Sequence, residues 1–465
     1  MDASTVPRRA HRTTAIIAVL AIVAVVGGAI PAGAVAPGPR LWGRRYDGPA
    51  SGRDEANDVA LSPDGGTIFV TGRSAGVSTG ADYLTRAYVA STGARVWTTR
   101  YDGPVGLDDI AHDIAVSPDG STVFVTGQSA GSEAENDFDF TTIAYDAATG
   151  EKLWAKRLDG SAHSNDVAFA LALSPEGDVV YVTGTSIGAT TGFDYMTRAY
   201  DAGTGAKLWT KRYNGRANGN DQAFAIAPTP DGSIVLVTGL SSASNGWFDW
   251  ATLAYDAVTG AKVWGKRYNG PANDSDYANA LVVDPNGGTV YVTGTSTGFG
   301  TRLDHTTIAY DVVDGEVRWT MRHAGPSDGD DVAYAVAVSS DGARVFVGGF
   351  GPTVAYEAAT GTELWAKHYT DDLFNVVALA VSADGAALYA TGDDFPTNLP
   401  SNMGTLAYDT ADGAQLWARS YDGPASGEDG GTSIVADTAR SRIFVAGRSA
   451  GGTTGMDYIT ISYTA

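Results

Sequence analysis

Tryptophan recurs along this chain at a nearly fixed interval: Trp42, Trp97, Trp154, Trp209, Trp264, Trp319, Trp365 and Trp417 stand 55, 57, 55, 55, 55, 46 and 52 residues apart. A period of this length marks repeated supersecondary units, none of which can bury its faces alone. Each unit holds four short runs of strand character separated by Gly, Asp and Pro. In the second unit they read DIAHDIAVSPDG, TVFVTGQS, DFTTIAYDAATG and KLWAKRLDG, named strands A, B, C and D. Four strands per unit around a ring is the pattern of an all-β propeller, in which each small sheet packs on its neighbours.

The sequence predicts eight blades. After residue 34 the chain begins with a lone D strand, LWGRRYDG, and it ends with A, B and C strands in TSIVADTARSRIFVAGRSAGGTTGMDYITISYTA. Pairing the first with the last three completes an eighth sheet, locks the chain ends together and leaves no long strand edge exposed. Residues 35–465 are therefore expected to form a single eight-bladed domain.

Residues 1–34 read differently. Arg8, Arg9 and Arg12 precede AIIAVLAIVAVV, and Ala32-Gly33-Ala34 supplies a small-residue cleavage site, the layout of a secretory signal peptide. Gly27, Gly28 and Pro31 shorten the apolar stretch below the roughly 20 residues that span a bilayer. A cleaved signal and a secreted, extracellular protein are expected; tethering to the membrane by an uncleaved N-terminal segment is the alternative. The formal charge is −22, and loss of residues 1–34, which carry a net +2, leaves −24. Such a charge repels phosphate backbones and anionic membranes. Neither nucleic acid nor, after cleavage, a membrane is an expected partner. The chain has no Cys, hence no disulfides, no thiol chemistry and no lipid-modified N-terminal Cys, and a soluble monomer is expected.

Thr85, Thr142, Thr197, Thr252, Thr307, Thr353, Thr405 and Thr460 each lie three residues before a Tyr. Such regularity signals packing, since a catalytic group is needed once. The stretch AYDAATGEKLW resembles the tryptophan-docking motif of quinoprotein-type, pyrroloquinoline quinone-like propellers. Ala144, Asp146, Thr149, Gly150 and Trp154 match it, as do Ala199, Asp201, Thr204, Gly205 and Trp209, and Ala254, Asp256, Thr259, Gly260 and Trp264. The fit weakens at Val89, Asp314 and Asp412. VSPDG followed by VFVTG is also similar to the generic β-propeller repeats of secreted bacterial proteins. Together the resemblances cover nearly all of residues 41–465. They imply an eight-bladed propeller in which the eight repeated Trp dock on the Ala region of the neighbouring blade. Asp146 and its equivalents are expected to accept N–H bonds from the Thr-Gly turn, closed by a glycine with positive φ. The eight-bladed dehydrogenases of that family use a vicinal Cys pair beside the cofactor, and some carry a Cys-x-x-Cys-His haem site. This chain has neither, and counterparts of the family's cofactor and metal ligands are not recognisable. No cofactor is expected, pyrroloquinoline quinone least of all.

No Gly-x-Ser-x-Gly nucleophile elbow, His-Glu-x-x-His helix or phosphate loop is expected. What remains is the rim where D-to-A and B-to-C loops meet. Asp54, Asp109, Asp166, Asp221, Asp276, Asp331 and Asp429 stand just ahead of strand A, with Phe374 in their place in the seventh unit. Asp82, Asp139, Asp194, Asp249, Asp304 and Asp457 head strand C. The structural reading is that both series cap loops and pair with the recurring Arg45, Arg100, Arg157, Arg212, Arg267 and Arg322. The functional alternative is a rim that binds calcium or another cation through hard oxygen ligands.

Departures from the repeat are the sharper clue. Strand A carries Ala170, Ala225, Ala280 and Ala335 where the first two units have Asp58 and Asp113, preceded by Asn57 and His112. These four are expected near the channel, where Asp58 and Asp113 could ligate a metal or relay a proton, or simply line a water-filled passage. Trp250 takes the place of Tyr83, Phe140, Tyr195 and Tyr458, whereas Trp247 is extra, suited to stacking on a sugar or anchoring a partner. The sixth unit loses its B-to-C loop in GGFGPTVAY, and the seventh gains GDDFPTNLPSNMG, an acidic flap headed by Asp393 and Asp394. The candidate ligand site is therefore Asn57, Asp58, His112, Asp113, Trp247, Asp393 and Asp394. The functional expectation is a non-catalytic binding or scaffold propeller whose rim takes an extracellular protein or glycan. The alternative is a divergent quinoprotein-type oxidoreductase, or another enzyme using the rim acids.

Overall fold

The computed structural model describes residues 38–132, 137–300, 302–324, 329–369, 373–395 and 400–465; the expected signal peptide lies outside them. The described residues form 32 strands and one short 3-10 turn, Thr438–Arg440. None of their helices is long and apolar enough to cross a membrane.

In the second unit strands A to D are Asp109–Val116, Thr122–Ala130, Phe138–Asp146 and Lys152–Leu158, hydrogen-bonded antiparallel in chain order. The first and the third to fifth units repeat that order. Arg40–Tyr46 pairs with the last strand, Met456–Thr464, so that one sheet draws strands from both ends of the chain. The sixth unit turns from strand B into strand C at Phe350–Thr353, and a single backbone bridge between Phe350 and Asn375 joins its sheet to the seventh.

The recurring threonines are a buried ladder. Thr142 Oγ1 meets Thr126 Oγ1 of strand B at 2.9 Å, and the pairs Thr71–Thr85, Thr183–Thr197, Thr238–Thr252 and Thr293–Thr307 repeat it. Each pair satisfies two hydroxyls that burial would otherwise leave bare. Strand A has one bulge per unit at the same place, at Asn57, His112 and Phe169 among others. The bulge throws the strand A backbone across strand B, so a Cβ at Gly127 would collide with the Ile110 carbonyl oxygen. That collision is why VTG ends in glycine.

Between sheets the tryptophans make the contact. Trp97 Nε1 donates to Ala147 O at 2.9 Å in the next unit, and Trp154, Trp209 and Trp264 do the same to Ala202, Ala257 and Val312. The turn that receives Trp97 is closed by Gly150 at φ 74°, and Asp146 Oδ1 accepts the N–H groups of Ala148 and Thr149. Trp42 packs in one cluster with Ala56, Val59 and Tyr88 of the first sheet and Val435 and Phe444 of the last. Burying one such ring is worth roughly 2 to 3 kcal/mol by area.

Candidate functional site

The rim carboxylates find their donors locally. In the second unit Asp109 Oδ2 accepts from Gly103 N at 2.6 Å. Arg157 then donates to Ser129 Oγ and to Asp139 Oδ2, each at 2.6 Å. Arg45–Asp457, Arg100–Asp82, Arg212–Asp194, Arg267–Asp249 and Arg322–Asp304 repeat the ion pair. The serine in this relay closes a gap in the sequence reading. Gly127-Gln128-Ser129-Ala130-Gly131 and its repeats have the spacing of a nucleophile elbow, yet Ser129 lies in an extended strand opposite Asp109 and serves the arginine. Its recurrence two residues after the VTG glycine was the available signal. Three aspartate triads, Asp47–Asp54–Asp457, Asp82–Asp102–Asp109 and Asp139–Asp159–Asp166, bring one oxygen each within 4.8 Å of the others. In each triad one member already has its arginine. Burial pushes Asp109 and Asp166 up to about 6.

Inside the ring the structure brings Asp58 and Asp113 together and buries both to 1% exposure, so they do not line a water-filled passage. Asp58 Oδ1 accepts from Ser433 Oγ at 2.7 Å and Oδ2 from Ile114 N at 3.0 Å. Asp113 Oδ2 accepts from Leu171 N at 2.7 Å. Asp113 Oδ1 has no protein donor and faces the Asp58 carboxyl. Two acceptor oxygens in contact form a hydrogen bond only when one of them carries a proton. Burial, then the neighbouring charge, holds Asp113 well above the carboxylate range, and burial raises Asp58 to about 6. Burial and their mutual repulsion thus favour a proton held between the two carboxyls, in a chain of bonds strung across four strands from Ser433 to Leu171. With Ser433, it offers few oxygens towards the six to eight that calcium takes.

The bulge residues beside it reach to the next sheet. Asn57 Nδ2 donates to Ala111 O at 2.6 Å. His112 lies 3.4 Å from Gln128 Oε1 and is tilted against Phe169 with centroids 5.9 Å apart; burial lowers its pKa to about 4, so it is neutral above that pH. The other predicted residues sit on different sheets. Trp247 is 49% exposed on the fourth B-to-C loop, while Trp250 is fully buried and donates to Thr295 O. Asp393 is buried and paired with Arg448 at 3.1 Å, and Asp394 is buried on the same strand. Residues 396–399 of the flap lie outside the described residues. Asn57, Asp58, His112 and Asp113 thus form one neighbourhood, and Trp247, Asp393 and Asp394 are separate from it in the strand order.

Comparisons with known proteins agree with the sheet pattern. The sequence matches the family described as outer membrane protein assembly factor BamB over residues 28–197, 194–330 and 304–460. No curated protein matches it significantly. Among solved structures, Sqt1 of Chaetomium thermophilum is similar at a TM-score of 0.62 and 12% identity, over 92% of this chain and 98% of that one. The same protein bound to the N-terminus of ribosomal protein L10 scores 0.61 at 12% identity, over 90% and 98%. Kuenenia stuttgartiensis hydrazine synthase scores 0.51 at 14% identity, over 72% of this chain and 92% of that one. At such identities the likeness concerns the fold. Its repeats, its four-stranded antiparallel sheets and its family match make this chain a β-propeller with pyrroloquinoline quinone-like repeats, a member of the BamB family.

Proposed function

We propose that the chain is exported and forms an eight-bladed ring, closed by strand Arg40–Tyr46 and by docking of its tryptophans, that works as a non-catalytic binding or scaffold module. The observation that carries this reading is the rim. Val77, Trp247 and Phe299 are 76%, 49% and 79% exposed on B-to-C loops, and Phe395, which ends strand B of the seventh unit, is 40% exposed. Large apolar side chains held in water on a rigid scaffold are the usual anchors of a partner. They stand among the exposed acids Asp47, Asp102, Asp159 and Asp422, and an extracellular protein or glycan is the partner class. Binding by a propeller has a precedent of fold in Sqt1, whose structure holds the N-terminus of ribosomal protein L10.

The test compares residues 35–465 with a Trp247→Ala, Phe299→Ala variant on a glycan array and by cross-linking to extracellular proteins of the source cells. A partner held by the parent and lost by the variant is the expected result. Oxidation of an alcohol or aldose after incubation with pyrroloquinoline quinone, calcium and an artificial electron acceptor would overturn the non-catalytic reading. A calcium ion at the rim is the second reading, favoured by the three aspartate triads. Calcium should then raise the melting temperature; an unchanged curve removes it.

A further inference from the structure

On the outer wall, between the third and fourth units, lies a groove of about 380 Å³ that neither the rim nor the channel explains. Tyr213, Asn214 and Arg216 bound it on one side and strand Lys262–Tyr268 on the other. Three positions that vary between the units converge there, and Arg216 is the one whose residue no other unit carries. At the end of strand D the sequence has Asp47, Asp102, Asp159 and Asp422, whereas Asn214 stands here and Asn269 and Ala324 stand in the two units that follow. Two residues later Pro49, Pro104, Pro271, Pro326 and Pro424 recur, with Ser161 in the second unit and Arg216 here. After the repeated Trp come Thr98, Ala155, Thr210, Thr320, Ala366 and Ala418, but Gly43 after Trp42 and Gly265 here.

All three changes act in one direction. The first removes an acid from the wall of the groove, the second adds an exposed cation, and the third opens space, since a Cβ at Gly265 would lie 2.9 Å from Leu253 Cδ2. Lys262 and Lys266 bring further ammonium groups. Among the described residues, no carboxylate lies within ion-pair distance of Arg216 or Lys262, while Lys266 pairs with the exposed Glu316 at 3.4 Å. Arg267 is committed to Asp249 and serves as a fixed wall. The half-buried Tyr213 ring, set edge-on to Tyr195 at 5.3 Å, adds a flat surface. In a chain of net charge −22, a cluster of cations in which Arg216 and Lys262 have no carboxylate partner among the described residues focuses the local field on anions.

We propose that this groove binds a small ligand carrying two anionic groups, sulfate or phosphate, on a sugar-sized body that lies along Tyr213. Arg216 would hold one group through its planar fork and Lys262 with Lys266 the other. This site is independent of the rim reading, so either can fail alone.

The test uses isothermal titration of residues 35–465 at low salt with three probes: a disulfated disaccharide, a sugar bisphosphate and inorganic sulfate. The variant Asn214→Asp with Arg216→Pro installs the Asp-x-Pro of the units that carry Asp47-x-Pro49, Asp102-x-Pro104 and Asp422-x-Pro424 and so retains the fold; a melting curve confirms it. The parent should bind one or both sugar probes at least about tenfold more tightly than inorganic sulfate, weakening with salt. The folded variant should lose about tenfold or more. Lys262→Gln should weaken binding in the same sense. The preferred probe distinguishes a sulfated from a phosphorylated ligand. Absence of binding by the parent, equal affinity of parent and variant, or no preference over inorganic sulfate would each overturn the proposal.

Discussion

The inner strands of the first two units and those of the next four share one backbone and differ in chemistry at one recurring position just after the bulge. All have the strand A bulge, and VTG or its equivalent VGG faces it in strand B. Yet Asp58 and Asp113 stand where Ala170, Ala225, Ala280 and Ala335 stand elsewhere. The repeat fixes the position of the Cβ and leaves its chemistry open. Where methyl groups fill the site, packing is all it does. Where two acids fill it, three N–H or O–H donors and one shared proton are needed to hold them out of water. Regularity therefore marks the scaffold, and function is to be sought where the pattern breaks.

The comparison can be broken from either side. The largest effect is expected from the scaffold: removing residues 35–48 takes away Trp42 and the strand paired with Met456–Thr464, and the melting temperature should fall by roughly 10 °C or more. An unchanged curve would refute the closure. Trp209→Ala leaves a cavity beside Ala257 and should cost about 3 to 5 kcal/mol in denaturant unfolding; a loss below about 1 kcal/mol would mean the ring is not packed between sheets.

Asp113→Asn probes the exception. Both acids bind a proton more tightly folded than unfolded, so their stabilising contribution is complete below the ordinary value of 3.8 and is lost as pH rises through about 6 and above. An amide at 113 can donate to Asp58 without titrating. The variant should match the parent near pH 4 and exceed it by about 2 kcal/mol at pH 8, read from urea unfolding at both values. A constant difference between them would break the account. Thr142→Val returns to the scaffold with the smallest change, removing half of one buried hydroxyl pair for a loss of about 1 kcal/mol.

The sheets were legible because Trp, Thr, Gly and Asp each recur at one structural position per unit, and a repeated constraint shows itself in a single sequence. The Asp–Arg pairs were legible for the same reason. That Asp58 and Asp113 meet was readable from their shared offset in neighbouring units. That they are buried was not, because exposure on an inner strand depends on the bulge residues Asn57 and His112 and on Ser433, which is 375 residues away in sequence. The serines were legible too, since Gly-x-Ser-x-Gly stands at 127–131 and recurs in other units, and the expectation that no such motif occurs is wrong on the sequence alone. The groove at Gly265 combines residues of two units, so no single repeat displays it.

The central claim, that the break in the inner ring holds a proton the regular units have no means to hold, can be read directly by infrared spectroscopy of carboxyl groups at pH 8. The parent is predicted to show the carbonyl band of a protonated carboxyl at that pH, and Asp113→Asn to lack it, because Asp58 then remains an anion bonded to an amide. A parent spectrum with only carboxylate bands would show both acids ionised and would contradict the shared proton.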